Sequence, residues 1–311
     1  MGRPSGAPDL NRLDEAVRTS VLTGHRPLND TVLQITSMLS RDDFDVYRLQ
    51  GLFESDPMLT AQVLRVANSP VMSTGRPVGS VREALVRLGS SAVQDIVYGV
   101  AMLEAFKDVR GAGRMIIEYS TECALVLRLM ERFGFHEVPH LFLVGLMQDI
   151  GKLMLLDKGG YESWTEDMVV MDTASAARRE QNELGFDHAI VGAVAVLAWR
   201  IPSPVAQVVT WHHQRSRALS EGGILARTVS MLHASKKLLR ALDQCTDRLD
   251  LEMAEWLAAD ATFQYCELDT LNIIDLADLI LDTEEHQSQA AAKAIHRTRT
   301  REYRAPRLRL W

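Results

Sequence analysis

The stretch SDPMLTAQVLRVANSP, residues 55–70, decides how the rest of the chain is read. Leu59, Val63 and Val66 recur at helical spacing and form one apolar face, which a strand with its period of two could not do. Ser55 or Asp56 can cap the helix, and Pro57 falls in the first turn, where its missing N–H costs nothing. Pro70 disfavours the α conformation just before it, so the helix should stop at Asn68–Ser69 and the chain should turn.

The same grammar recurs on both sides. Ser80 precedes VREALVRLG, with Glu83 placed for a capping box and Gly89 as a helix stop. Val93, Ile96, Val97 and Val100 then continue the period. Downstream come a helix from Ile116 to Phe133, the apolar helix LFLVGLMQDIGKLMLL, a helix beginning at FDHAIVGA, and another at IPSPVAQVVTWHH. In the last of these Ser203 can cap and Pro204 sits in the first turn. Sustained period-two alternation is almost missing, so the fold class is all-α.

Composition limits the function classes. The chain has 311 residues, 47% of them hydrophobic, enough for a substantial core. A charged fraction of 24% and a net charge of −7 argue against whole-surface binding to nucleic acid or anionic lipid. The amino terminus lacks the apolar core of a secretory signal. The longest uncharged apolar stretches, Ile96 to Leu103 and Ala189 to Trp199, fall short of the roughly 20 residues that cross a bilayer. Three cysteines, Cys123, Cys245 and Cys266, form no C-x-x-C pair, which fits a reducing, cytoplasmic compartment.

The charged, glycine-bearing run KDVRGAG (107–113) is the best internal boundary. It divides an N-terminal helical subdomain, 26–109, from a second one, 113–245. An arm, 1–25, precedes them. Appended helices, 246–292, and a flexible basic tail, 293–311, follow. The tail carries six arginines from Arg297 to Arg309 but no interleaved aromatic platform, so nucleic-acid binding through it is disfavoured.

Two stretches resemble one family. The pattern D-P-x-L-x-x-x-x-L-x-x-A-N-S, here Asp56 to Ser69, and the segments PLNDTVLQITSMLS and RPVGSVREALVRLGSSAVQDIV resemble the start of HDOD domains. Gln148-Asp149-Ile150-Gly151-Lys152 resembles the H-D-I-G-K signature of HD phosphohydrolases, with glutamine in place of histidine. The resemblance runs from about Pro27 to about Cys245. It implies two packed helical subdomains, the second HD-domain-like, and a bacterial signalling or regulatory role.

Carried over position by position, the resemblance implies a degenerate metal site. Tyr119 stands where the first ligand histidine is expected, Gln148 replaces the second, and Ser235 stands near the last aspartate. An amide is a poor substitute for imidazole. Asp149 remains, and His188 with the pair His212-His213 matches the places that serve a second metal in bimetallic relatives. Asp149, His188 and His212 could make a two-histidine, one-carboxylate site for iron or manganese, less typically zinc, with Lys152 drawing an anion to it. Each residue also has a plainer reading: a core or capping aspartate, histidines favoured at helix ends, a snorkelling surface lysine.

The expectation is a non-catalytic regulator with no cofactor beyond a remnant divalent metal. It would act through a signalling protein partner or a small phosphorylated ligand such as a cyclic dinucleotide or nucleotide. The alternative is a metal-dependent phosphohydrolase or cyclic dinucleotide phosphodiesterase using the remnant site.

Overall fold

Side-chain caps set the helices of the N-terminal half, those at Asp56 and Ser80 as expected from sequence. A computed structural model describes residues 28–295 except 42, 73–74, 135–137, 158, 166–167, 170–173 and 246–247, with side chains as far as Thr283. Residues 1–25, expected as an arm, and the basic tail beyond Ile295 lie outside the described residues.

Helices α1 (Asp30–Leu39), α2 (Val46–Glu54) and α3 (Pro57–Ala67) are each capped by the preceding Asn29, Asp45 or Asp56 side chain. Asp56 accepts from Leu59 N at 3.0 Å. Asn68 ends α3 and clamps the following loop, donating from Nδ2 to Val78 O at 2.9 Å and accepting from Val78 N at 2.7 Å. Helix α4 (Val81–Ala105) opens on the Ser80 cap, and Glu83 reaches back to Gly79 N at 2.7 Å, one residue beyond a standard capping box. Gly89, at φ 83°, breaks α4 into two helical stretches, the conformation glycine adopts most cheaply.

The chain turns through Phe106–Gly111 into α5 (Ala112–Met130), which a single 3-10 turn extends to Phe133. Then follow α6 (Leu141–Met147), α7 (Ile150–Asp157), α8 (Ala174–Leu184), α9 (His188–Ala198), α10 (Ser203–Trp211), α11 (Arg215–Glu221) and α12 (Gly223–Gln244). Last come α13 (Leu251–Ala259), α14 (Ala261–Tyr265) and α15 (Thr270–Ile295), three helices where appended ones were expected, the last running through residues 293–295. The described residues contain no strand.

Two local expectations are corrected. The apolar run 141–156 is two helices, because Gln148 and Asp149 form a turn between α6 and α7. Ser203 does not cap α10: it is the first helical residue, Pro202 occupies the cap position, and no side chain makes the cap hydrogen bond. One hydrophobic cluster extends from Leu28 to Ile280. Within it α7 packs on α9, α9 on α10, and α13–α15 on α5 and α12. No helix of the described residues is long and apolar enough to cross a membrane.

Candidate metal centre

Backbone contact between two helices brings the chemistry together. A Cβ on Gly151 of α7 would run into the His188 carbonyl oxygen of α9 and lie 2.7 Å from Gly192 N. Glycine at 151 is therefore what lets α7 reach α9, setting the turn residue Asp149 beside the first residue of α9. Asp187 caps α9, accepting from Ile190 N at 3.0 Å, and this fixes where His188 starts the helix. At the other end of the site α10 stops at Trp211, placing His212 and His213 in the following turn.

Four of the residues singled out from sequence meet: one ligand atom from each of Asp149, His188, His212 and His213 lies within 4.8 Å of all the others. Asp149 Oδ1 is 3.3 Å from His188 Nε2 and 4.0 Å from His212 Nε2. His188 Nε2 is 3.4 Å from His212 Nε2 and 2.8 Å from His213 Nε2. Ligand atoms bound at about 2.0–2.1 Å to one metal ion stand about 3–4 Å apart, so a group this close could hold a metal ion. His213, paired in the sequence with His212, joins the set as a third imidazole.

The outer nitrogens are held. His188 Nδ1 donates to Glu180 Oε2 at 2.6 Å, and the same oxygen accepts from His188 N at 2.7 Å. The other Glu180 oxygen accepts from Tyr161 Oη at 2.6 Å. His212 Nδ1 donates to Val209 O at 2.6 Å. A carboxylate or carbonyl on Nδ1 fixes the proton there and turns Nε2 into the lone-pair donor. Neither Glu180 nor Tyr161 was foreseen.

Electrostatics keep the carboxylates ionised. Burial raises the Asp149 pKa, but Lys152, a hydrogen bond from His188 and the charge of Lys236 together hold it well below the usual range. Burial likewise opposes charge on Glu180, and its bonds to His188 and Tyr161 prevail. Burial disfavours the His188 cation, but the Asp149 and Glu180 hydrogen bonds lift its pKa above the usual value, so a proton and a metal compete for Nε2. Burial, His212 and His188 push His213 far down, leaving it neutral.

Lys152 is not the surface lysine its plainer reading suggested. It is 1% exposed, with Nζ 3.1 Å from Asp149 Oδ1. Lys236 on α12 is a second buried lysine, 5% exposed, that sequence reading passed over. The three positions expected to be degenerate carry no metal-binding side chain of the histidine or carboxylate kind. Tyr119 packs half-buried against the core, Ser235 turns its hydroxyl back to Leu232 O at 2.9 Å, and Gln148 is fully buried. Three imidazoles and one carboxylate, with no thiolate, are a donor set that divalent transition metals accept, so the residues present fit a divalent metal. Asp149, His188 and His212 are at most 2% exposed, and only His213 reaches toward solvent.

A family model described as the HDOD domain matches residues 26–215. A structure from Shewanella amazonensis SB2B, provisionally described as a phosphohydrolase, superposes with a TM-score of 0.64 at 22% identity, covering 85% of this chain and 94% of that one. An HDOD domain protein with unknown function from Geobacter sulfurreducens gives 0.59 at 21%, covering 90% and 98%. A protein from Marinobacter aquaeolei VT8, provisionally described as a signal transduction protein, gives 0.59 at 18%, covering 93% and 67%. At these identities the likeness is one of fold. An uncharacterized protein from Treponema pallidum (strain Nichols) is 21% identical over 233 residues, which span 68% of this chain and 42% of that longer relative.

Proposed function

The chain belongs to the HDOD family, and on that footing we propose that it is a regulatory protein holding one divalent metal in a closed centre and turning over no phosphoester. The observation that carries this reading is the arrangement of the histidines: three Nε2 atoms converge on Asp149 while two of the Nδ1 atoms are anchored to Glu180 and Val209 O. A site held this way is organised for a cation. With the ligating carboxylate and two imidazoles almost wholly buried, the centre presents little exposed surface to a phosphodiester in this conformation. When bound, iron or manganese would supply charge that locks α7, α9 and the end of α10 together. In this reading the centre sets the packing that a signalling protein partner recognises. Three free cysteines and the family's role fit a cytoplasmic setting.

A second reading is favoured by Lys152, whose ammonium lies beside the metal-binding carboxylate, where it could hold a substrate phosphate. This is the metal-dependent phosphohydrolase or cyclic dinucleotide phosphodiesterase. Metal analysis of protein purified without chelators, joined to a hydrolysis assay, separates the two. Near-stoichiometric iron or manganese, lost in His188→Ala, with no hydrolysis of cyclic dinucleotides or nucleotide monoesters under added Mn²⁺, is the expected result. Metal-dependent turnover abolished by the same substitution would establish the enzyme instead. Protein without metal that also fails to take up Mn²⁺ would sink both.

A further inference from the structure

Far from the metal centre, a trough runs along the N-terminal helices and across the 107–113 boundary. Leu28, the first described residue, opens it: with Val32 on α1, Leu59 on α3, and Val100 and Ala101 on α4, it lines a cavity of about 320 Å³. Gln62, Val100 and Glu104 also line a second cavity of about 330 Å³, which continues past Leu103 and Val109 to Ile117 on α5. The charges on its rim pair with each other, Lys107 with Glu104 at 2.6 Å and Arg114 with Glu118 at 2.9 Å, so the trough between them is mainly apolar. Met58, which lines the first cavity, is 70% exposed. A continuous apolar surface of this kind is characteristic of a docking site.

The sequence just before Leu28 carries a matching pattern. Leu10, Leu13, Val17 and Val21 recur at i, i+3, i+7 and i+11, which is one face of a helix. Asn11, Arg12, Glu15, Arg18 and Thr19 fall on the opposite face. Gly24 and Pro27 break the period. The connecting residues 23–27 reach at most about 18 Å, so a helix over 10–22 cannot stray far from the cavity that Leu28 opens. A tether this short also gives the segment an effective concentration of about millimolar, which favours it over a free partner. The arginine-rich segment from Arg297 to Arg309 suits the trough poorly, because its charges would lie against apolar walls.

We infer that residues 10–22 dock as an amphipathic helix in the trough between α3 and α4, with the Leu10–Val21 face inward, and brace the N-terminal subdomain toward α5. This is helix-in-groove recognition within one chain. The docked segment covers apolar surface at the junction of the two subdomains, and a partner offering a more apolar helix would compete with it for the same seat. Neither step depends on the metal centre.

The test places the photoreactive residue p-benzoylphenylalanine at position 17 of the full chain and maps its crosslinks by mass spectrometry. They should fall on α3 and the C-terminal half of α4 of the same chain, with equal yield at low and high salt, because apolar burial is not screened as ion pairs are. A mixture of light and isotope-labelled protein tells crosslinks within one chain from those between copies. Hydrogen exchange reads the same contact without the probe. In Val17→Asp the amides of α3 and of the end of α4 should exchange several-fold faster than in the parent, while Arg18→Ala, on the opposite face, leaves them unchanged. Crosslinks scattered over the surface, crosslinks mainly between copies, or parental exchange in Val17→Asp would each overturn the inference.

Discussion

Glu180 is the residue on which the candidate centre turns, although it touches no position where a metal would sit. Its carboxylate holds the His188 ring through Nδ1, the His188 backbone through N, and is itself steadied by Tyr161. Glu180→Gln keeps the size and removes the charge, so the tautomer of His188 is no longer enforced and the imidazole becomes a weaker donor. Metal affinity should fall about 10- to 100-fold while the melting temperature of the metal-free protein changes little. Unchanged Mn²⁺ affinity in a folded variant would refute the role. His188, His212, His213 and Asp149 were legible because their residue types and family positions mark them. Glu180 was not: it lies in AARREQNEL, whose charges read as a solvated face, and no spacing rule ties it to His188. Lys236 hid in the same way, since a Lys-Lys pair reads as surface until the helical turn sends one member inward. Lys152 was seen, but its depth was not, because an ion pair with Asp149 three residues earlier removes its reason to snorkel.

At the level of elements, the crossing of α7 and α9 positions the site, and glycine makes it. Gly151 faces the His188 carbonyl, and a Cβ on Gly192 would lie 3.2 Å from Gly151 N and 3.0 Å from a Val209 methyl. Glycine inside a helix ordinarily costs about 1 kcal/mol against alanine, so Gly151→Ala would stabilise the protein if the crossing were loose. The contact predicts the opposite sign. A methyl group cannot be accommodated against backbone without parting the helices, and overpacking of this kind costs about 1–3 kcal/mol. Urea denaturation should show a lowered midpoint for Gly151→Ala, and Mn²⁺ binding should weaken as Asp149 moves from His188; a raised midpoint would refute the account. Caps at Asp56 and Ser80 could be read from sequence because a cap is a local bond. The break at Gln148–Asp149 could not, since the apolar run crosses it without a signal and packing against α9 decides it.

Across the whole molecule, the family match ends at residue 215, but the fold does not. The Shewanella amazonensis structure covers 85% of this chain, more than residues 1–245 could supply, so part of the likeness extends past the expected boundary at 245. The physical reason is the core. Leu257, Phe263, Ile273, Leu276 and Ile280 are at most 1% exposed and belong to the same cluster as the N-terminal helices. Lys237 on α12 bonds Asp260, the cap of α14, at 2.5 Å. The sequence offered only appended helices here; which helices receive their inner face is a long-range fact that no local pattern carries. Burying each large apolar side chain is worth about 1.5–3 kcal/mol, and a domain's net stability is about 5–15 kcal/mol. Removing five such side chains together with the surface they cover on α5 and α12 should therefore exceed what the remainder can lose. A chain ending at Gln244 is expected to lose its cooperative thermal transition and its near-ultraviolet circular dichroism while keeping helical signal, and to bind a hydrophobic dye. A truncated chain that melts cooperatively within a few degrees of the parent would instead mean that α13–α15 are a separable appendage, and that residues 26–245 hold the metal centre unaided.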